Sequence, residues 1–371
     1  MRVKLMLAAN FVCASAAFAQ SSTGQAPITS SSVTLFGIVD MAVTYGTGSD
    51  ASKTQLSTGA YQPSRFGFRG NEALGGGLGV NFWLEAGFNA DDGSGVAGNT
   101  NNTPGGATSG DFISFSRRAT VSLIDIWGEV RLGRDFTAIY RNREQIDPFG
   151  TNGVGASQPH VGTLGGPTAT RASNMVGYFL PPGLGGFFGE VQYFMGENIQ
   201  YSPAPITNPN LKDGNGYAAR IGWGIGGFAV ALSSSETKFA RSDTTGNINS
   251  WNVGTSYDFG FLKLSGGYYR DKVDSFVPLT GTGYLVGGTI PVFGVDQVRV
   301  SYSEYGTDAF GDPRTRKFAI GYVYAFSKRT LAYATYAHLD NRGGASAALA
   351  GSLTAPDRSS NGYDFGLRHS F

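Results

Sequence analysis

The chain has 371 residues, of which 41% are hydrophobic, 13% aromatic and 15% charged, and its 28 Lys and Arg nearly balance 27 Asp and Glu for a net charge of +1. That balance leaves no basic footprint for a nucleic-acid partner. After the N-terminal segment there is no run of about 18 apolar residues, which excludes a protein that crosses a membrane with helices but not one that crosses with alternating strands.

Arg2 and Lys4 precede two short apolar stretches, 5–9 and 11–14, and Ala17-Phe18-Ala19 places small residues at the two positions a signal peptidase reads. Residues 1–19 therefore read as a secretory signal peptide, with cleavage expected after Ala19. The single cysteine, Cys13, lies inside it, so the exported chain has no thiol. Loss of Arg2 and Lys4 leaves 26 cationic against 27 acidic residues, a net charge of −1. A secreted chain without disulfides must be held by a large core or a closed hydrogen-bond network. Residues 20–32 are a Ser/Thr-rich lead-in, expected to be flexible, and 33–371 read as one domain.

From Val33 onward the hydrophobic period is two. Val33, Leu35 and Val39 alternate with Thr34, Phe36 and Asp40; Phe66 and Phe68 with Arg65 and Arg69; Ala119, Val121 and Leu123 with Arg118, Thr120 and Ser122; Val298 and Val300 with Gln297, Arg299 and Ser301. The last segment puts Tyr363, Phe365, Leu367, His369 and Phe371 on one face and Asp364, Arg368 and Ser370 on the other. Each is an amphipathic strand. Sixteen are expected, near 33–46, 61–71, 79–90, 111–124, 128–139, 171–180, 187–198, 216–224, 228–238, 250–259, 261–272, 282–290, 296–307, 315–326, 330–340 and 361–371. Every second connection is tight, as at 125–127, 225–227 and 327–329, and the intervening ones are mostly long and polar, as at 91–110, 140–170, 199–215, 239–249 and 341–360. Glycine, at 56 residues, is about twice its usual share of roughly 7%, in keeping with many turns.

Alternating short and long connections with an even strand count are the pattern of an antiparallel transmembrane β-barrel, with short turns at one end and long loops at the other. Closure satisfies every backbone group in lipid, where a sheet edge has no partner. Sixteen strands enclose a space too wide for side chains to fill. Aromatic pairs such as Tyr178-Phe179, Tyr193-Phe194 and Tyr268-Tyr269 near strand ends fit interfacial girdles. The apolar face is therefore expected to point outward.

Four segments carry a family resemblance across essentially the whole exported chain: SSVTLFGIVDMAV, SRFGFRGNEALGGGLGVNFWLEAGFNADDG, WGEVRLGRDFTAIY and GYDFGLRHSF. In this order they resemble the Gram-negative general porins, especially the β-proteobacterial type. The resemblance implies a homotrimer of 16-stranded barrels in the outer membrane, with loop 3, about 140–170, folded into the lumen. It implies that Phe371 belongs to a signal read by the barrel-assembly machinery. The expected surroundings are lipid and lipopolysaccharide. No cofactor and no metal are expected.

The expected function is passive diffusion of ions and small hydrophilic solutes through a water-filled pore. A narrow channel lined by one sign of charge concentrates the opposite ion. The resemblance implies that Arg65, Arg134 and Arg171 line one wall of a constriction and that loop-3 acids face them, with Asp147 in Asp147-Pro148-Phe149-Gly150 as the candidate acid. Phase alone adds Arg118 and Asp40 as inward groups. In the fifth expected strand, strict alternation points Arg131 inward, whereas the resemblance favours Arg134, which requires a bulge at Gly133; Arg134 is taken as the constriction residue. A weak anion preference follows. The histidines His160, His338 and His369 come with no nucleophile elbow and no zinc-ligand spacing, so an enzyme is not expected. The alternatives are a substrate-specific channel and a barrel-type hydrolase using His160 or His338.

Overall fold

The computed structural model describes residues 30–104, 114–198 and 212–371. The signal segment 1–19 and most of the lead-in lie outside the described residues. The described strands are β1 (Ser32–Thr47), β2 (Lys53–Thr58), β3 (Arg65–Gly75), β4 (Leu78–Gly87), β5 (Arg118–Asp125), β6 (Gly128–Phe136), β7 (Arg171–Phe179), β8 (Phe187–Phe194) and β9 (Gly216–Ile225). They continue as β10 (Phe228–Thr237), β11 (Asn247–Asp258), β12 (Lys263–Asp274), β13 (Leu279–Val292), β14 (Asp296–Thr307), β15 (Arg314–Ala325), β16 (Thr330–Arg342) and β17 (Ser360–Ser370).

Apart from β2 and β3, which pair with β1 rather than with each other, each strand pairs antiparallel with its sequence neighbours, and β17 returns to β1 with Asp40 opposite Arg368 and Val43 opposite Phe365. The sheet is thus a closed barrel without an edge, as a lipid-spanning sheet requires. The seventeen segments fill sixteen positions, because β2 and β3 share one. Both pair with β1: Met41 lies opposite Thr58, and Ile38 opposite Arg65. Six residues, 59–64, therefore face only two, 39 and 40, and form an extended bulge. The strand expected at 61–71 accordingly starts later, at Arg65; Pro63 within the bulge has no N–H for the ladder.

The in–out assignment follows from exposure. Asp40, Thr44, Asn81, Glu85, Ser122 and Arg131 are buried, while Val43, Val121, Leu132, Val176, Ile221 and Ile320 are exposed. A water-soluble barrel would reverse this order; here the apolar face meets lipid. The long connections share one end, as expected, although two at that end are short, 275–278 and 308–313.

Residues 137–170 contain α1 (Ala138–Ile146), a short α2 (Gln158–Val161) and a single 3₁₀ turn. Thr137 caps α1 without a side-chain hydrogen bond. The wall instead satisfies one of the amides that open the helix: Ala138 N–H donates to Gln192 Oε1 of β8 at 2.8 Å. The segment then crosses the barrel. Asn142 Nδ2 donates to Asn252 Oδ1 of β11 at 2.6 Å, Ser265 Oγ of β12 donates to Ile146 O at 2.7 Å, Gln158 N–H donates to Ser303 Oγ of β14 at 2.9 Å, and Val154 N–H donates to Asp364 Oδ2 of β17 at 2.8 Å. Ile146 is buried with Phe188, Ala229, Ala231, Tyr269 and Leu285. The loop is therefore pinned to the far wall by hydrogen bonds and an apolar plug.

Candidate functional site

Between this loop and the wall formed by β3–β7, β14 and β17 lies a cavity of about 890 Å³. Its described lining includes eight arginines (Arg65, Arg117, Arg118, Arg131, Arg141, Arg171, Arg299, Arg368) against five carboxylates (Glu85, Glu129, Asp135, Glu144, Asp147), an excess of three positive charges. His160 adds none, because burial, then Arg143 and Lys317, push its imidazole down to about 3.

The arginines fall into two groups. In the first, Glu85 and Asp135 each serve more than one guanidinium. Glu85 accepts from Arg117 at 2.6 Å, with Arg65 at 3.6 Å. Asp135 takes Arg131 at 2.5 Å and Arg141 at 2.7 Å, with Arg118 at 3.6 Å, and Arg131 also meets Glu129 at 2.8 Å. In the second group, Arg171, Arg299 and Arg368 have no ion-pair partner among the described residues. Arg171 donates to the Arg117 carbonyl at 2.9 Å, and Arg299 hydrogen-bonds Tyr61 Oη. Aromatic faces hold both groups against the wall: Arg118 over Trp83 at 4.5 Å, Arg131 over Phe179 at 3.9 Å, Arg171 over Phe136 at 4.2 Å and Arg299 over Tyr61 at 4.4 Å.

Gly133, at φ +120°, breaks the β6–β7 register, and a Cβ there would collide with the Ala119 carbonyl. Arg131 remains inward in the cavity. Arg134, just past the bulge, donates to Ser116 O at 2.6 Å, Asn99 O at 3.0 Å and Ser173 Oγ at 2.8 Å. It lines a smaller cavity of about 240 Å³, which shares Arg117 and Arg171 with the first. Arg65, Arg118 and Arg171 are thus together with Arg131, while Arg134 stands one cavity away and ties loop 88–117 to the barrel.

The two aspartates expected in the site are engaged in backbone architecture. Asp40 is fully buried; its Oδ2 accepts the N–H groups of Tyr61 (3.0 Å) and Gln62 (2.6 Å), and its Oδ1 accepts Tyr333 Oη–H (2.5 Å). It therefore holds the 59–64 bulge, whose Tyr61, Gln62 and Pro63 line the cavity. Asp147 accepts the N–H groups of Phe149 and Ser157, both at 2.9 Å, closing the loop on itself. Burial pushes its carboxyl above the usual range. Glu144 is the loop acid that keeps surface toward the arginines; it sits deep in the barrel, so desolvation raises its carboxyl, against the pull of Arg141, Arg171, Arg117 and Arg65.

Arg117, Arg141, Glu144, Arg299 and Arg368 belong to this cavity beyond the expected set. Alternation already placed Arg299 and Arg368 on inward faces and offered a signal for both. Arg117 falls on the outward phase of the strand expected at 111–124, which begins only at Arg118; Arg141 and Glu144 lie outside the alternating segments, and only the folded loop brings them in.

Comparison with known proteins supplies the context. A profile of the Gram-negative porin family matches residues 5–344. Outer membrane porin protein 32 of Delftia acidovorans is 33% identical over 360 residues, covering 93% of this chain and 96% of the relative. An outer membrane porin protein of Bordetella pertussis is 29% identical, covering 90% of this chain and 94% of the relative. Among solved structures, an anion-selective porin from Comamonas acidovorans superposes with a TM-score of 0.78 at 31% identity, covering 92% of this chain and all of that one. A closed sixteen-position barrel, an apolar outer face, a lumen crossed by a loop and this likeness along nearly the whole length together identify the chain as a member of the Gram-negative porin family, a passive diffusion channel of the outer membrane.

Proposed function

We propose that the pore prefers anions weakly and that the arginine cavity is its constriction. The observation that carries this is the unpaired set Arg171, Arg299 and Arg368 lining one cavity, with a net excess of three positive charges. Arg65 and Arg118 join that lining, their charge partly offset by Glu85 and Asp135. Arg134 contributes from the neighbouring cavity, and Glu144 is the opposing loop acid. Asp40 and Asp147 shape the constriction by holding the bulge and the loop. In a low-dielectric wall a charge excess of one sign raises the local concentration of the other. The similar Comamonas acidovorans porin is described as anion-selective, which agrees with this reading.

The working unit is a homotrimer, and its outward faces meet lipid and lipopolysaccharide. The uncharged outward side chains of β1, β3, β5, β7 and β8, among them Val43, Phe68, Val121, Val176 and Val191, suit contact between copies. Phe371 is the end of an assembly signal for the barrel-assembly machinery. Its backbone exchanges hydrogen bonds with Gly37 at 3.0 and 3.1 Å, so the terminal residue completes barrel closure.

The test is single-channel recording in a planar bilayer under a salt gradient. Steps in groups of three with an anion-leaning reversal potential are expected. A cation-leaning potential would overturn the electrostatic assignment, and independent single steps would overturn the trimer.

A further inference from the structure

A second cavity, of about 280 Å³, lies on the long-loop side of the barrel beside the arginine cavity. It is enclosed by loop 3, the loop between β16 and β17, β2 and the wall of β1, β15, β16 and β17. The 59–64 bulge divides the two spaces: Tyr61, Gln62 and Pro63 line the arginine cavity, whereas Gly59 and Ala60 line this one, and no residue lines both. One side is fixed by Leu349, which is buried with Phe149 and Val154 of loop 3 and Leu339 of β16.

Three polar side chains line this cavity, and Lys317, Asp364 and Gln158 are only 2%, 1% and 1% exposed. Lys317 of β15 has neither an ion pair nor a hydrogen bond among the described residues; Asp147 and Asp364 balance its charge only at longer range. Asp364 of β17 accepts the Val154 N–H on Oδ2 at 2.8 Å, and its Oδ1 has no hydrogen-bond partner among the described residues. Thr44, which neighbours this carboxylate, is hydrogen-bonded to Ser57 at 2.5 Å. Gln158 of loop 3 accepts the Thr315 hydroxyl on Oε1 at 2.8 Å, which leaves Nε2 without a partner among the described residues. A buried ammonium and a buried amide donor therefore lack an acceptor, while a buried carboxylate oxygen lacks a donor, each a costly state if nothing answers it. Val154, Val161, Leu339 and Leu349 make much of the remaining lining apolar.

From this arrangement we propose that the cavity binds a neutral α-amino acid with a small apolar side chain, such as valine, as its zwitterion. The ligand carboxylate meets Lys317 Nζ and Gln158 Nε2, its ammonium meets Asp364 Oδ1, and its side chain lies against Leu339 and Leu349. Opposite charges that face one space without meeting are what a zwitterion spans. An inorganic anion would answer Lys317 and leave Asp364 facing a like charge, and a cation would do the reverse. The volume equals that of about nine waters, room for valine and too little for tryptophan. Apolar walls with a few convergent polar groups are the usual build of a small-molecule site. The site lies off the arginine cavity, so it holds the amino acid at the mouth of the channel, and it does not depend on the anion preference.

The experiment is saturation-transfer NMR with L-valine, N-acetyl-L-valine and L-valine amide on the full-length protein in phosphatidylcholine nanodiscs. A hydrogen bond to a charged group is worth about tenfold or more in affinity, so the acetylated and amidated forms should each bind more weakly than valine by that factor. Lys317→Met should weaken valine by about tenfold or more, and so should Asp364→Asn, which keeps an acceptor for the Val154 N–H. Ala348→Phe, which fills the cavity from the β16–β17 loop, should abolish binding. Arg171→Ser with Arg368→Ser should leave it unchanged, because those groups line the arginine cavity. Conductance steps in a planar bilayer show that a variant forms a channel; for one that does not, the comparison of the three ligands on the unmodified protein decides. No transfer to valine, or equal binding of all three ligands, overturns the proposal. So does equal valine binding by the unmodified protein and the Lys317 and Ala348 variants. Loss of binding in the double arginine variant also overturns it, by assigning the amino acid to the constriction.

Discussion

Replacing Arg171 and Arg368 together by serine removes two of the three unpaired guanidiniums and lowers the cavity excess from three positive charges to one. For an ion passing about 6 Å from each group, Coulomb's law in water gives about 0.7 kcal/mol, and screening over a Debye length of about 8 Å leaves roughly 0.3 kcal/mol. A permeating anion gains this and a cation loses it. The anion-to-cation permeability ratio should therefore fall about threefold per arginine and about tenfold for the pair. The assay is the reversal potential under a potassium chloride gradient, with single-channel conductance as the control for an intact pore. A ratio unchanged within twofold would refute the reasoning, placing both groups off the ion path or neutralised by a partner. Arg131→Ser gives the contrasting case. Glu129 and Asp135 would lose the guanidinium that lies 2.8 and 2.5 Å away, so its main effect should be a stability loss of about 3–5 kcal/mol, read as a lower midpoint in denaturant.

Acidification should raise the anion preference: Glu144, with its carboxyl above the usual range, is protonated as pH falls through its raised pKa, and the cavity gains one positive charge. Comparing reversal potentials at pH 7 and pH 5 tests this, and Glu144→Gln should show the higher preference at both pH values with the response flattened. Asp40→Ala frees the Tyr61 and Gln62 amides and Tyr333 Oη–H; conductance should increase as the 59–64 bulge relaxes, and stability should drop by about 3 kcal/mol, whereas Tyr333→Phe should do less of both. Phe371→Ala should reduce the folded, heat-modifiable protein in the outer-membrane fraction, and unchanged yield would remove Phe371 from assembly. Gly133→Ala forces a side chain into φ +120° against the Ala119 carbonyl and should cost about 2 kcal/mol or more, measured by thermal unfolding.

Period-two alternation was enough to define the barrel, because in a strand the side-chain period is local and needs no knowledge of distant contacts. It located β1, β14 and β17 within a residue or two and put Asp40, Arg118, Arg299 and Arg368 on the inward face. Three matters required the tertiary structure. Whether an inward charge is free or engaged depends on what crosses the lumen to meet it: Asp40 is consumed by the amides of a bulge, and Asp147 by its own loop. The strand beginning at Arg65, with β2 ahead of it, depends on six residues facing two in β1, a mismatch that appears only once the register is set. Loop 3 has no alternation to read, so Arg141 and Glu144 enter the site through the amide of Ala138 meeting Gln192 and the burial of Ile146 across the barrel. Local periodicity determines which way a strand's side chains point; long-range pairing decides which of those charges is left for a passing ion.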